Sequence, residues 1–367
     1  MIRWRNGVVT AIGKSWDGAQ ELEVRLSGPD EGTQVRALAY PRLVGAPQPG
    51  DRVVLNTTAL AMGLGTGGYA FVVAIPDRLP PDPEGPGHMV KARYTPLQAT
   101  MMGVDEQESP HHSTIAAAQD IAGMPVVVAD LHSALPAILL GIIADAPDAR
   151  VAYLMTDGAA LPIWFSRAVS QLREHLCGTV TAGQSFGGDA EAVTVHAGLL
   201  AAKHVLGADV TIVTQGPGNL GTGTPWGFSG IAAGEAINAV AALAGKPIGA
   251  LRISDSDPRG RHVGISHHSV TAFGKIALAA ADMVVPKELP EKLATAVDDD
   301  LAPLRGRHTI VEIDTAGLDA ALRSSTVKLA TMGRGLDADY SYFLAAAAAG
   351  RHAAALLADT GGLTGSM

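Results

Sequence analysis

Apolar runs of strand length recur along the second two-thirds of the chain, at Val126 to Ala129, Val151 to Met155, Thr179 to Ala182, Val210 to Thr214, Ile248 to Ile253, Met283 to Val285 and Thr309 to Ile313. Helical periods fill the gaps, near Leu135 to Ala144, Ser166 to Leu176, Ala190 to Leu206, Gly230 to Leu243, Val270 to Ala280 and Glu291 to Leu304. Such alternation leaves few folds open. Parallel strands need crossover connections, and crossovers put helices on both faces of the sheet. With the right-handed rule, this predicts a mainly parallel, doubly wound α/β sandwich.

The first 75 residues read differently. Five short runs separated by glycine, proline and aspartate, from Gly7 to Ile75, predict a small all-β barrel. Residues 76–90, rich in proline, read as an extended linker, 91–325 as the α/β domain, and 326–367 as a C-terminal helical extension. That extension holds an alanine-rich helix near Tyr340 to Ala358, a candidate contact for a homo-oligomer, and a frayed tail from Thr360.

Composition narrows the function classes. A formal charge of −9 disfavours nucleic acid and anionic membranes as partners. No apolar run reaches bilayer length and the start lacks a signal-peptide core, so the expectation is a soluble, cytoplasmic protein. Cys177 is the single cysteine, which rules out an internal disulfide or a thiolate zinc cage within one chain. Abundant alanine and glycine suit helices packed closely on a sheet.

In an open parallel sheet, ligands bind beyond the carboxyl ends of the strands. Those ends carry the polar residues here: Asp130 and His132 after the first strand, Thr156-Asp157-Gly158 after the second, and Gly183 to Asp189 after the third. A glycine loop follows the fourth and Ser254 to Ser269 the fifth, whereas the opposite connections are plain. One rim is therefore the expected site.

The glycine loop contains Gly216-x-Gly218-x-x-Gly221, formally the dinucleotide spacing. The helix waits until Ser229, however, and Asp255 stands well beyond the ~20 positions at which a ribose-binding acid is expected. NAD or FAD is disfavoured on both counts. Free backbone amides around Gly221 to Gly230, near a helix start, instead suggest a cradle for a small anion formed by Gln215, Gly216, Gly218, Gly221, Thr222, Gly223, Thr224 and Ser229. Tight turns and close helix packing at Gly230 and Gly234 are the plainer reading of the same glycines.

The next loop gathers Asp255, Asp257, Arg259, Arg261, His262, His267 and His268. Carboxylates and imidazoles together supply acid-base groups near neutral pH or ligands for a divalent metal, and the arginines suit an anion. An extended backbone would point His267 and His268 apart, so one of them at most is expected beside His262. Asp130 and His132 are expected to assist from another strand end. The spacing names no particular metal, and the cofactor stays open.

Leu55-Asn56-Thr57-Thr58-Ala59 with Gly65-Thr66-Gly67-Gly68, Gln215 to Gly223, and Gly264-Ile265-Ser266-His267-His268 resemble a family of uncharacterised bacterial proteins, mainly actinobacterial and firmicute, described as a domain of unknown function. The resemblance covers nearly the whole chain and implies no activity or catalytic residue. From the residues, the leading expectation is an enzyme acting on a small anionic, possibly phosphorylated, substrate at the rim. The alternative is a non-catalytic sensor or binding protein that uses the same rim.

Overall fold

The computed structural model describes residues 1–65 and 67–361. They form two compact units: Met1–Thr100 together with Trp164–Ser170, and the chain from Met101 to Ile163 and from Gln171 onward. Thr66, of the glycine run Gly63 to Gly68, and residues 362–367, most of the expected frayed tail, lie outside the described residues.

The first unit is a closed barrel of β1 (Trp4–Trp16), β2 (Ala19–Ser27), β3 (Gln34–Ala39), β4 (Arg52–Asn56) and β5 (Ala70–Ala74), in the order β1-β2-β3-β5-β4. Alternation along the strands turns Val9, Leu22, Val24, Val53, Leu55 and Val72 inward, each burial worth roughly 1.5–3 kcal/mol. The start of the predicted linker is tied down, since Arg52 bonds Asp77 and Arg78 donates to the Ala46 carbonyl. Trp164–Ser170, expected within the α/β domain with a helix from Ser166, belongs to this unit instead. Trp16 Nε1 donates to the Trp164 carbonyl at 2.7 Å, and Glu21 pairs with Arg36 and Arg167.

The second unit is built on eight strands: β6 (Pro125–Val128), β7 (Val151–Thr156), β8 (Gly178–Ala182), β9 (Ala190–Ala192), β10 (Val210–Gln215), β11 (Lys246–Ala250), β12 (Asp282–Pro286) and β13 (Thr309–Ile313). Every neighbouring pair is parallel, in the order β9-β8-β7-β10-β6-β11-β12-β13. Val126 and Val128 meet the cluster formed by Leu199 of α2 (Val195–His204) and Ile237 and Val240 of α3 (Ala232–Ala242), so Val127 faces the other side. There α1 (Leu135–Asp145) packs on the long C-terminal helix, Tyr340–Gly361.

Small residues set that packing. A side chain at Gly141 would strike the Ala347 carbonyl and one at Gly350 the Ile138 carbonyl, so the two backbones touch. The alanines from Ala345 to Ala349 are buried in consequence. The C-terminal helix is thus part of the core of its unit and no appendix, and its alanine face is already occupied. Among the described residues, no helix is long and apolar enough to cross a membrane.

Two local expectations shift. Ala190–Ala192 is a strand beside β8 and not the start of a helix, and α2 begins after Thr194, whose side chain accepts from the Ala197 amide at 3.2 Å. Asp189 therefore does not cap the helix. It accepts from the Thr179 amide and hydroxyl and pairs with Arg173, and those bonds hold its carboxyl below the usual range against the opposing effect of burial.

Candidate functional site

The strand order places β6, the first strand of the sheet, between β10 and β11, which is where a doubly wound sheet opens a crevice at its carboxyl edge. Asp130 leaves β6 there. Gln215 ends β10, and its Nε2 donates to the Asp130 carbonyl at 2.8 Å and to Asn219 Oδ1 at 2.9 Å. Gly230, at the approach to α3, sits so close to Asp130 that an added Cβ would lie 3.0 Å from the Asp130 carbonyl oxygen. A cavity of about 10 Å³ between these elements, lined by Asp130, Thr156, Gln215 and Ser229 among others, has room for a single water.

Beyond β11 the chain makes a short ribbon, Ile253–Ser254 paired antiparallel with Gly264–Ile265. Gly264 has φ of 78°, and a side chain there would meet Asp300 Oδ2, the atom that accepts from the Ile265 amide at 2.9 Å. The ribbon encloses a buried ionic hub. Asp257 takes Arg252 and Arg259 at 2.9 Å and Arg334 at 3.2 Å, while Asp339 takes Arg334 and Ser254 Oγ. The Arg259 hydrogen bond, above all, holds the Asp257 carboxyl far below the ordinary carboxylate range.

This frame presents three histidines to one point. His262 closes a 3-10 turn, Gly260–His262, while His267 and His268 open the short helix α4 (His267–Thr271). One ring nitrogen of each lies within 4.8 Å of the others. Ser266 organises two of them: its Oγ accepts from the His268 amide at 3.2 Å and lies 2.6 Å from His262 Nδ1. Ser266 Oγ thus engages His262 Nδ1 and leaves Nε2 as the ring nitrogen without a partner. Phe228 lies flat on His268, with centroids 3.9 Å apart and planes 4° from parallel.

The groups at the centre are unsatisfied. His262 Nε2, His267 Nε2, His268 Nδ1 and Asp130 Oδ2 are buried atoms with no hydrogen-bond partner in the protein. Asp130 Oδ2 and His268 Nδ1 are 4.0 Å apart, too far for a hydrogen bond. Burial lowers His262 and His268 to about 3, with Arg252 adding to the first and His267 to the second, and it lowers His267 together with Arg261. Burial raises Asp130. The three imidazoles are neutral, and each offers a lone pair as base or ligand.

A family model described as protein of unknown function (DUF3866) matches residues 36–350. The chain belongs to this family. The DUF3866 match takes in the whole site, from Asp130 to Asp339, and the last strands of the barrel. No curated protein matches the chain.

Within this DUF3866 chain the predicted residues separate into groups. His262, His267, His268 and Asp130 come together, including both neighbouring histidines, because a helix turns the chain about 100° per residue where an extended chain would turn it 180°. His132 is elsewhere: its Nδ1 meets Tyr153 Oη at 3.0 Å, which in turn meets Thr214 Oγ1, and burial pushes the imidazole down to about 4. Asp255 is exposed and accepts from Ser256 Oγ, whereas Asp257 is consumed by its arginines. Arg259 is partly exposed, and Arg261 is exposed beside Gly223.

The glycine loop is not the open cradle expected. Thr222 N donates to the Gly227 carbonyl, Gly227 N to Thr224 Oγ1 and Leu220 N to Ser229 Oγ, while Ser229 N returns to the Leu220 carbonyl. Asn219 Oδ1 takes the Gly230 amide and Ser229 Oγ. Gly216 is pressed against the Ala160 carbonyl and Gly218, with φ of 93°, makes a turn. Sequence reasoning missed Asn219, Phe228, Arg252, Arg334 and Asp339 as members of the site. Arg252 alone left a signal, a charge inside the apolar run Ile248 to Ile253.

Proposed function

We propose that this protein is a cytoplasmic enzyme that acts on a small anionic substrate at the carboxyl rim of its parallel sheet. The observation that carries this reading is the convergence of four buried polar atoms without protein partners, on Asp130, His262, His267 and His268. Leaving a buried polar group unpaired costs about 1–3 kcal/mol, and native proteins keep few such groups without a functional reason. Four gathered at a strand-end crevice point to chemistry on a bound molecule.

The charge around the cluster supports an anion. Three guanidinium groups, of Arg252, Arg259 and Arg334, share the two buried carboxylates of Asp257 and Asp339, and the exposed Arg261 adds a further positive charge. In this reading Arg259 and Arg261 hold a phosphate or carboxylate, and the neutral imidazoles work on the adjoining bond.

Incubating the protein with a panel of phosphorylated and carboxylated metabolites, followed by mass spectrometry, tests it. Turnover of an anionic compound is expected, with Arg261→Ala raising KM about tenfold or more, the loss of one charge-assisted hydrogen bond. Tight binding without turnover across the panel would replace the enzyme with a sensor that uses the same rim.

A further inference from the structure

Four buried polar atoms of this group find no hydrogen-bond partner in the protein. Three imidazoles each bring one ring nitrogen within 4.8 Å of the others without bonding one another. Ser266 Oγ, 2.6 Å from His262 Nδ1, engages that nitrogen and leaves Nε2 without a partner. Phe228 holds the His268 ring in one plane. A carboxylate oxygen, Asp130 Oδ2, approaches from a separate strand end to 4.0 Å from His268 Nδ1.

We propose that His262 Nε2, His267 Nε2 and His268 Nδ1 bind one divalent first-row transition-metal ion of the zinc type, with Asp130 Oδ2 as the fourth protein donor. Three imidazoles and a carboxylate suit zinc, cobalt, nickel or iron, whereas magnesium and calcium take oxygen ligands. Ligating histidines are normally held through their other nitrogen by an outer hydrogen bond, and Ser266 provides that for His262. Among the described residues this is where three or more candidate ligands gather.

The distances are those of a site that tightens on loading. Metal–nitrogen bonds of about 2.0–2.1 Å put tetrahedral ligands about 3.3 Å apart, so the widest pair, at up to 4.8 Å, closes by about 1.5 Å. Small rotations of His267, which is half-buried, and of the Asp130 carboxyl supply such a movement. The charges also permit a cation. The guanidiniums of Arg252, Arg259 and Arg334 are offset to within one charge by Asp257 and Asp339, the further positive charge of Arg261 lies exposed to solvent, and Asp130 adds a carboxylate beside His268.

This inference stands apart from the substrate proposed above, because it rests on donor atoms and not on turnover. The test strips the full-length protein with a chelator, then titrates zinc by calorimetry and cobalt by visible absorption, and locates the ion by anomalous scattering. One equivalent is expected, with the ligand-field bands of a nitrogen-rich cobalt site and an anomalous peak between the three rings.

His267→Ala removes a half-buried ligand and should weaken zinc binding at least a hundredfold. Asp130→Asn and Ser266→Ala should each weaken it by about tenfold to a hundredfold. If His262→Ala fails to fold, the wild-type anomalous map and His267→Ala decide the matter. Folded apoprotein that takes up neither ion, an anomalous peak elsewhere, or unchanged uptake by His267→Ala would overturn the site. Metal binding without turnover on any panel compound would leave this inference standing and remove the proposed function, and turnover by folded protein that takes up neither ion would leave the function standing and remove this inference.

Discussion

The loop from Gly216 to Gly230 and the loop from Asp255 to Ser266 flank the same central strand, β6, yet they treat their polar groups in opposite ways. In the first, threonine hydroxyls, backbone amides and Asn219 satisfy one another, and the exposed side chains include the apolar Leu220 and Trp226. In the second, an ionic hub consumes one carboxylate completely while one ring nitrogen of each histidine beside it has no partner. The more conspicuous motif is a closed structural turn. The less regular one carries the unsatisfied chemistry, and the glycine loop serves it chiefly by setting Phe228 on His268.

This contrast can be broken by substitution. Asp257→Ala leaves the buried Arg252 guanidinium without its carboxylate and strips a partner from Arg259 and Arg334, and should cost about 3–5 kcal/mol in denaturant unfolding, the largest effect of any change in either loop. A loss under about 1 kcal/mol would mean that the hub is not a frame. Its pH dependence has a definite sign. Because the folded carboxyl lies below its unfolded value of about 3.9, its contribution is present above that pH and fades as pH falls through the depressed folded value. The stability gap between wild type and Asp257→Asn should stay constant from about pH 8 to pH 5 and narrow only below about pH 4.

A smaller loss is expected on the other side. Asn219→Ala strips a partner from Gln215 Nε2, Ser229 Oγ and the Gly230 amide and should cost about 1–3 kcal/mol. Smaller still, Gly223→Ala forces a side chain onto φ of 80° in open surroundings, worth about 1 kcal/mol, with zinc affinity unchanged. A large loss of zinc affinity in Gly223→Ala would show that the two loops are less separate than described.

Much of this architecture is legible in the sequence because parallel strands buried on both faces must be apolar along their length, as Val126 to Val128 and Val210 to Val213 are. Ala190–Ala192 escapes that reading, since Ala-Glu-Ala has no strand signature. It is held by pairing with β8 and by Glu191, which accepts from Thr181 Oγ1 and the Gly187 amide. The histidines of the site were visible as types in one loop, but their convergence depends on a helix beginning at His267. The role of Asp257 was hidden, because Arg334 reaches it from 77 residues away.

The segment Trp164–Ser170 has a bearing on biogenesis. The barrel's own strands are complete by Ala74, but Trp164, which packs over Gly18, and Arg167, which pairs with Glu21, are synthesised only after two strands of the α/β unit. A ribosome-bound chain ending near Thr100 would hold a barrel with Trp16 and Tyr40 missing their Trp164 neighbour. Cutting the gene at the apparent boundary would preserve that unfinished state, so a barrel expressed alone needs residues 164–170 restored to it, in cis or as a peptide.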